Sequence, residues 1–211
     1  MNVFRFIAKH LSSPKGISGR VVSFFMNWQI RPMYKETIRV LSLSDGESIL
    51  DIGCGNGFVL NMVAKEYCGS FVGVDISESI IKSALNRNRR FVESGQMAFS
   101  CQDMNSMSFD DNSFSRVYTI NTVYFWDNVA NAMKEISRIL KPEGVFVNTL
   151  FTNETLDGYP HTKYGYKRYT EKELTEAGLD AGLAVDKIPI INGKALCLVY
   201  KKTPHRRSEI Q

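Results

Sequence analysis

Ile49-Leu50-Asp51-Ile52-Gly53-Cys54-Gly55-Asn56-Gly57 is the stretch whose reading decides the fold. Its first four residues read as a buried strand, which runs into three glycines at alternate positions and then opens a helix. Without a Cβ the backbone can turn tightly and approach a ligand closely, and the N–H groups at the start of the helix face whatever lies above the strand. A dinucleotide fingerprint, GxGxxG, requires glycine at position 58, where this chain has Phe58. Asp51, at the end of the strand, sets a carboxylate where a pyrophosphate would be repelled, and suits an ammonium or sulfonium ligand instead.

Outward from this loop, strand-like and helix-like segments alternate. Strands are expected at 48–52, 70–74, 97–101, 115–120, 145–150, 184–190 and 195–200. Helices are expected at 57–67, from about 78, at 129–140 and from 170 to about 181. The helix at 129–140 carries Val129, Ala132, Met133, Ile136, Ile139 and Leu140 at helical spacing and stops at Lys141-Pro142, where proline cannot continue it. Thr170-Glu171-Lys172-Glu173 is a capping-box pattern. Strands separated by helices of this length form parallel neighbours through crossover connections. Asn192-Gly193, between the last two strands, is a hairpin signal that makes those two antiparallel. The fold class is therefore α/β: a doubly wound, seven-stranded, mostly parallel sheet with an antiparallel carboxyl-terminal hairpin.

Three acids follow three successive strands of this sheet: Asp51, Asp75 in Phe71-Val72-Gly73-Val74-Asp75-Ile76, and Asp103 in Cys101-Gln102-Asp103-Met104. The carboxyl ends of adjacent parallel strands share one crevice. There an acid at the end of the second strand can accept both hydroxyls of a ribose, and Asp103 can accept from the exocyclic amine of adenine.

At these residues the sequence resembles the class I S-adenosylmethionine-dependent methyltransferases, with a Rossmann-like fold. The resemblance covers roughly residues 47–150: ILDIGCGNG is similar to the family's first motif, GVDIS to its second, QDMNSMSF to its adenine-contact region, TINTVYFWDN to its fourth motif and ISRILKPEGVF to the passage after it. It implies S-adenosylmethionine as cofactor, with Gly53 and Gly55 close to its methionine part and Asp51 and Asn121 nearby. Asp75 would hold the ribose, Ile76 would pack on the adenine, and Asp103 with the Met104 backbone would read its edge. MNWQIRPMY, ahead of the sheet, looks like a variant of a stretch found in some bacterial small-molecule members.

The acceptor is read from what surrounds these motifs. Methylases of exocyclic amines in nucleic-acid bases carry an Asn/Asp-Pro-Pro-aromatic stretch at the fourth motif, where this chain has Asn121-Thr122-Val123-Tyr124, and no Pro-Cys pair of a cytosine C5 enzyme occurs. The formal charge of +4 hides an asymmetry: residues 1–35 hold six bases and no acid, residues 201–211 four bases and one acid, and residues 36–200 sixteen bases against 21 acids. An acidic body does not make the basic face that nucleic acid needs, so a small molecule is the expected partner. Eleven of the 24 aromatic residues fall in the 53 residues of 1–34 and 151–169, segments able to close over the strand ends. Phe25, Trp28, Tyr34, Tyr124, Trp126, Tyr164 and Tyr166 are the expected substrate-pocket residues. His161 is the candidate general base, because its unperturbed pKa is near 6.5.

The expected organisation is an amino-terminal helical arm or lid over 1–46, a cofactor-binding domain over 47–200 with an aromatic substrate loop at 152–169, and a basic tail over 201–211. Val3, Phe4, Ile7 and Leu11 fit one face of a short amphipathic helix within the arm. Cys54, Cys68, Cys101 and Cys197 form no CxxC and suit reduced thiols rather than a metal site. Together with the absence of an apolar run of about 20 residues or of a secretory signal, this places the chain in the cytoplasm with no transmembrane segment. The alternatives are an RNA methyltransferase that clamps its substrate with Arg20, Arg31, Arg206 and Arg207, and a non-catalytic cofactor-binding or membrane-surface protein.

Overall fold

A computed structural model describes residues 30–203. The seven strands are β1 (Glu47–Ile52), β2 (Gly69–Asp75), β3 (Met97–Cys101), β4 (Phe114–Ile120), β5 (Leu140–Phe151), β6 (Leu183–Ile190) and β7 (Ala195–Lys202). They form one sheet in the order β3-β2-β1-β4-β5-β7-β6. β1 to β5 run parallel, and β7 lies antiparallel between β5 and β6. The order reverses direction beside β1, between β1 and β4, which is where an open parallel sheet leaves a crevice at its carboxyl ends.

Both faces are covered, which is why the central strands are apolar on both sides. On one face α1 (Arg31–Leu41) and α2 (Phe58–Glu66) bury Met33, Tyr34, Leu41, Leu60 and Val63 against Ile49, Phe71, Tyr118 and Val147. α3 (Glu78–Arg87) and the short α4 (Arg89–Glu93) follow β2 in the chain. On the other face α5 (Val129–Ile139) packs Met133, Ile136 and Ile139 with Leu50, Val117 and Phe146. α6 (Asn153–Asp157) precedes α7 (Glu171–Asp180), whose capping box is present: the Thr170 hydroxyl accepts from the Glu173 N–H, and the Glu173 carboxylate accepts from the Thr170 N–H. α1 is tied down by polar groups as well, since the Thr37 and Thr149 hydroxyls share a hydrogen bond 2.7 Å long beneath it.

The structure departs from the sequence reading in two places. Residues 152–169 are not loop throughout. Thr152 caps α6 by accepting from the Thr155 N–H at 3.3 Å, and a 3-10 turn occupies Pro160–Lys163. Five helical residues are too few to print a periodic apolar pattern. β5 also begins at Leu140 rather than 145, because Leu140 pairs with Phe114 before the register shifts and pairing resumes at Arg116 and Val145. Glu143, with φ 63°, lies in that irregularity. Residues 1–29 and 204–211, which include the expected arm residues Phe25 and Trp28 and most of the basic tail, lie outside the described residues.

Gly178, inside α7, tests the packing between this helix and the sheet. A Cβ there would lie 2.5 Å from Tyr200 Cδ1 and 3.1 Å from Val185 Cγ2. The Tyr200 ring is fully buried and stacks on Phe146 at 5.2 Å, so it has nowhere to retreat. Glycine to alanine in a helix normally stabilises by about 1 kcal/mol, but overpacking costs about 1–3 kcal/mol. Gly178→Ala is therefore expected to lower the denaturant midpoint of unfolding; a raised midpoint would show that this contact is loose.

Candidate functional site

The crevice holds a cavity of about 310 Å³ at the carboxyl ends of β1, β2 and β4. Its floor is the glycine loop. Gly53, Gly55 and Gly57 take φ values of 71°, 54° and 68°, a conformation that side chains strain. A Cβ on Gly53 would fall 2.5 Å from Thr122 Cγ2, and one on Gly57 would strike Asn88 Nδ2 and the Phe99 ring. A Cβ on Gly55 would meet nothing within 4 Å, because that position faces the open cavity. The loop is pinned to β2: the Gly53 and Cys54 N–H groups both donate to the Val74 carbonyl at 2.8 and 3.0 Å. The Gly55 N–H donates to Asp75 Oδ2 at 3.2 Å.

The three acids found in the sequence all line this cavity. Asp51 is 4% exposed, and one oxygen accepts from the Tyr118 hydroxyl at 2.9 Å. Burial first, with repulsion from Asp75 adding to it and the Tyr118 hydrogen bond opposing it, pushes its pKa up to about 8. Asp75 accepts from Gly55 and, through Oδ1 at 2.9 Å, from the Ser77 N–H; burial raises its pKa too. Asp103 accepts from the N–H and the side-chain amide of Asn105 at 2.8 and 2.9 Å through Oδ1. Ile76 is 70% exposed, an apolar side chain with one side uncovered at the cavity wall. Met104 and Asn121 line the wall as well. Asn121 has φ 57°, and its Oδ1 accepts from the Tyr124 hydroxyl at 3.1 Å.

The charges in the lining are one-sided. Asp51, Asp75, Asp103 and Asp127 face the cavity, and among the described residues no lysine, arginine or histidine does. A cation is attracted there, and an uncharged ligand with hydroxyl and amine donors finds acceptors; an anion finds neither.

Of the expected substrate-pocket residues, Tyr34 and Trp126 line the cavity, whereas Tyr124, Tyr164 and Tyr166 are not among its lining residues. Tyr124 is buried, with its hydroxyl committed to Asn121 and to the Phe151 N–H, which donates to it at 2.6 Å. Tyr166 packs on Tyr124 and Phe125 at ring distances of 5.4 and 4.8 Å. His161 sits on the 3-10 turn behind them, 6.0 Å from the Tyr166 ring and 5.9 Å from Tyr159, and outside the lining. Burial lowers its pKa and so favours the neutral imidazole. The sequence reading missed Ile30, Phe58, Phe125, Gln102, Asn105 and Asp127, all of which line the cavity. Phe58 was visible as the residue that breaks the dinucleotide pattern, and Phe125 lies between two residues already singled out.

Comparison with known proteins bears on this geometry. A family model described as "Methyltransferase domain" matches residues 50–148. The mitochondrial arginine-hydroxylase NDUFAF5 of Mus musculus is 31% identical over 107 residues, 51% of this chain and 29% of that protein. The O-methyltransferase resE of Aspergillus sclerotiorum is 31% identical over 110 residues, 52% of this chain and 42% of that protein. The match thus spans less than half of either relative. Among solved structures, a Haloferax volcanii protein described as a methyltransferase, in complex with the Trm112 methyltransferase activator, superposes with a TM-score of 0.78 at 20% identity over 97% of this chain and 99% of that one. Geranyl diphosphate C-methyltransferase of Streptomyces coelicolor A3(2), in complex with Mg2+, geranyl-S-thiolodiphosphate and S-adenosyl-L-homocysteine, gives a TM-score of 0.71 at 13% identity over 81% of this chain and 75% of that one.

The buried Asp51 makes the ligand-free protein pH-sensitive in a defined direction. Its folded pKa of about 8 exceeds the unfolded value near 3.8, so its contribution to stability is complete below about pH 4 and is lost as pH rises towards 8. Asp51→Asn keeps an oxygen for the Tyr118 hydroxyl and removes the titration. Relative to this variant, the wild type is expected to lose stability between pH 5 and 8, by at most about 1.4 kcal/mol per pH unit. Parallel denaturation profiles for the two proteins across that range would contradict the assignment.

Proposed function

We propose that the chain is a class I S-adenosylmethionine-dependent methyltransferase that takes S-adenosylmethionine as its cofactor, a reading supported by the match of residues 50–148 to a methyltransferase-domain model, and that it methylates a small, uncharged and partly apolar acceptor held in the same cavity. The residues present fit that cofactor. Gly55 offers backbone with open space above it, Asp51 would face the positively charged methionine part, and Asp75 would take the ribose hydroxyls. Ile76 would cover one face of the adenine, with Asp103 and the Met104 backbone at its edge. The bound cofactor supplies a methyl group on a positively charged sulfur, displaced in line by the acceptor's nucleophile. The protein's own work is to hold the two partners in alignment and to keep water out.

The observation that carries the acceptor class is the part of the lining that those assignments leave over. Ile30, Tyr34, Phe58, Ile120, Asn121, Thr122, Phe125 and Trp126 are uncharged and largely apolar or aromatic, and the charged residue left with them, Asp127, is paired with Lys167 at 2.9 Å, a composition suited to a small neutral ligand. A diphosphate, such as the compound bound by the Streptomyces neighbour, would meet the carboxyl groups of Asp51, Asp75 and Asp103 and no lysine, arginine or histidine among the described lining residues. Nor does any group of three or more His, Cys, Asp or Glu among the described residues stand ready to hold a metal ion for it. Tyr124 supports this wall rather than touching the acceptor: its hydroxyl joins Asn121 to the end of β5. His161, behind Tyr166, would serve as a base only for an acceptor that reaches past the lining. A thiol or amine acceptor needs none. The acidic body argues against RNA, and the cytoplasm is the proposed compartment; among the described residues no helix is long and apolar enough to cross a membrane.

The test is release of S-adenosylhomocysteine from S-adenosylmethionine in the presence of neutral aromatic or aliphatic acceptors, anionic acceptors or transfer RNA, with products identified by mass as methylated rather than hydroxylated. Turnover with neutral acceptors is the expected result; turnover only with RNA or with anionic acceptors would overturn the reading. Asp75→Asn is expected to weaken S-adenosylhomocysteine binding by about tenfold or more, since it removes charged hydrogen bonds, with the circular dichroism spectrum unchanged. Unaltered affinity in isothermal titration would remove Asp75 from the ribose site.

A further inference from the structure

The cofactor cavity depends on one segment that has no regular structure of its own, residues 102–113 between β3 and β4, which brings Gln102, Asp103, Met104 and Asn105 to the lining. An irregular loop reads a ligand edge only if something else fixes its backbone. Here the fixing group is a pair of charges on α5. Glu135 Oε1 accepts from the Met107 N–H at 3.0 Å. Arg138 grips the same carboxylate with Nε and Nη2 at 2.9 and 2.7 Å, so Glu135 and Arg138 form a two-point fork. The remaining guanidinium donors reach into the loop: Nη1 to the Phe109 carbonyl at 2.6 Å and to Asp111 Oδ1 at 2.7 Å, and Nη2 to the Met107 carbonyl at 3.2 Å. Arg138 also keeps its backbone in the arrangement, its carbonyl accepting from the Asn112 N–H at 3.0 Å.

Two further sets of contacts carry this grip to the cavity. Met104 and Met107 are buried in the same core cluster as Met133 and Ile136 of α5. Gln102 Oε1 accepts from the Ser108 N–H at 2.9 Å, closing the loop on itself across the residues that include Asp103 and Met104. Asp103 meanwhile spends only Oδ1 on Asn105. Arginine binds Glu135 strongly enough to hold its pKa below the usual carboxylate range, so the pair is ionised at neutral pH.

We propose that the Glu135–Arg138 pair is a positioning device that fixes the loop carrying Asp103 and Met104, and thereby sets the selectivity of the cavity for adenine over other bases. Arg138 does not touch the ligand; it acts through the loop backbone. A lysine in its place keeps the charge but has a single nitrogen, which cannot span Glu135, two carbonyls and Asp111 at once. The inference rests on S-adenosylmethionine occupying the cavity with its base at Asp103.

The test is isothermal titration of the full chain with S-adenosylhomocysteine, 5′-methylthioadenosine and 5′-methylthioinosine, the last of which replaces the exocyclic amine by a carbonyl. The wild type is expected to favour the adenosine compound over the inosine compound by about tenfold or more, because a donor at the base edge is lost. Arg138→Lys is expected to bring that ratio to within about twofold, and Glu135→Gln to lower it in the same direction should the first variant fold poorly. Asp75→Asn, by contrast, weakens both ligands and leaves the ratio as it was. An unchanged ratio in a folded Arg138→Lys or Glu135→Gln protein, with only a lower melting temperature, would reduce the pair to a structural role and overturn the proposal while leaving the cofactor site intact. Failure of the wild type to bind S-adenosylhomocysteine would overturn the cofactor reading and this inference with it.

Discussion

Val74 and Asp75, the last residues of β2, hold the glycine loop that ends β1. One carbonyl accepts from Gly53 and Cys54, and one carboxylate accepts from Gly55. These bonds satisfy backbone donors that the left-handed glycines turn away from the sheet, donors that would otherwise be left unpaired at a partly buried site. Because the loop is pinned, α2 starts where it must, the Gly55 face stays open, and Asp51 is sealed beneath with Tyr118 as its hydrogen-bonding partner. Asp75 is thus both a structural acceptor and a wall of the cavity, which couples the shape of the loop to the occupancy of the site.

The electrostatic consequence is a crevice whose buried acids, Asp51 and Asp75, have no lysine, arginine or histidine with them in the lining among the described residues, while Asp127 is paired with Lys167 at 2.9 Å. Such an arrangement costs stability in the ligand-free protein, as the raised pKa values of Asp51 and Asp75 indicate. A cationic ligand relieves that cost, so binding energy and the preference for positive charge come from the same groups. Phe58, in the lining, carries the guanidinium groups of Arg31 and Arg87 against its ring, each 5.6 Å from the centroid, so these cations are engaged with an aromatic face.

The sheet, and the meeting of the candidate cofactor residues in one cavity, were legible in the sequence because they rest on local rules: a buried strand, a glycine turn, an acid at a strand end, and helices of regular length between them. Asp51, Gly53, Gly55, Asp75, Ile76, Asp103, Met104 and Asn121 all line one cavity because strand ends of a parallel sheet converge whatever their side chains. The candidate substrate-pocket residues gather at the cavity only in part, because aromatic composition does not say which way a ring points. Tyr124 and Tyr166 lie behind the wall, where packing and the bond between Tyr124 and Asn121 place them, while Phe125, whose ring meets both of theirs, reaches the cavity. The Glu135–Arg138 grip on residues 102–113 was not legible at all, since its partners there are, apart from Asp111, backbone atoms, on which side-chain identity bears little.

The central claim is that S-adenosylmethionine and its demethylated product occupy the crevice above β1, β2 and β4. Titration of S-adenosylhomocysteine into the isotopically labelled protein, followed by amide resonances, tests it most directly. Saturable shifts concentrated at Gly53, Gly55, Asp75, Ile76, Asp103 and Met104 are the expected result. Absence of shifts, or shifts centred on the far edge at β6 and β7, would contradict it.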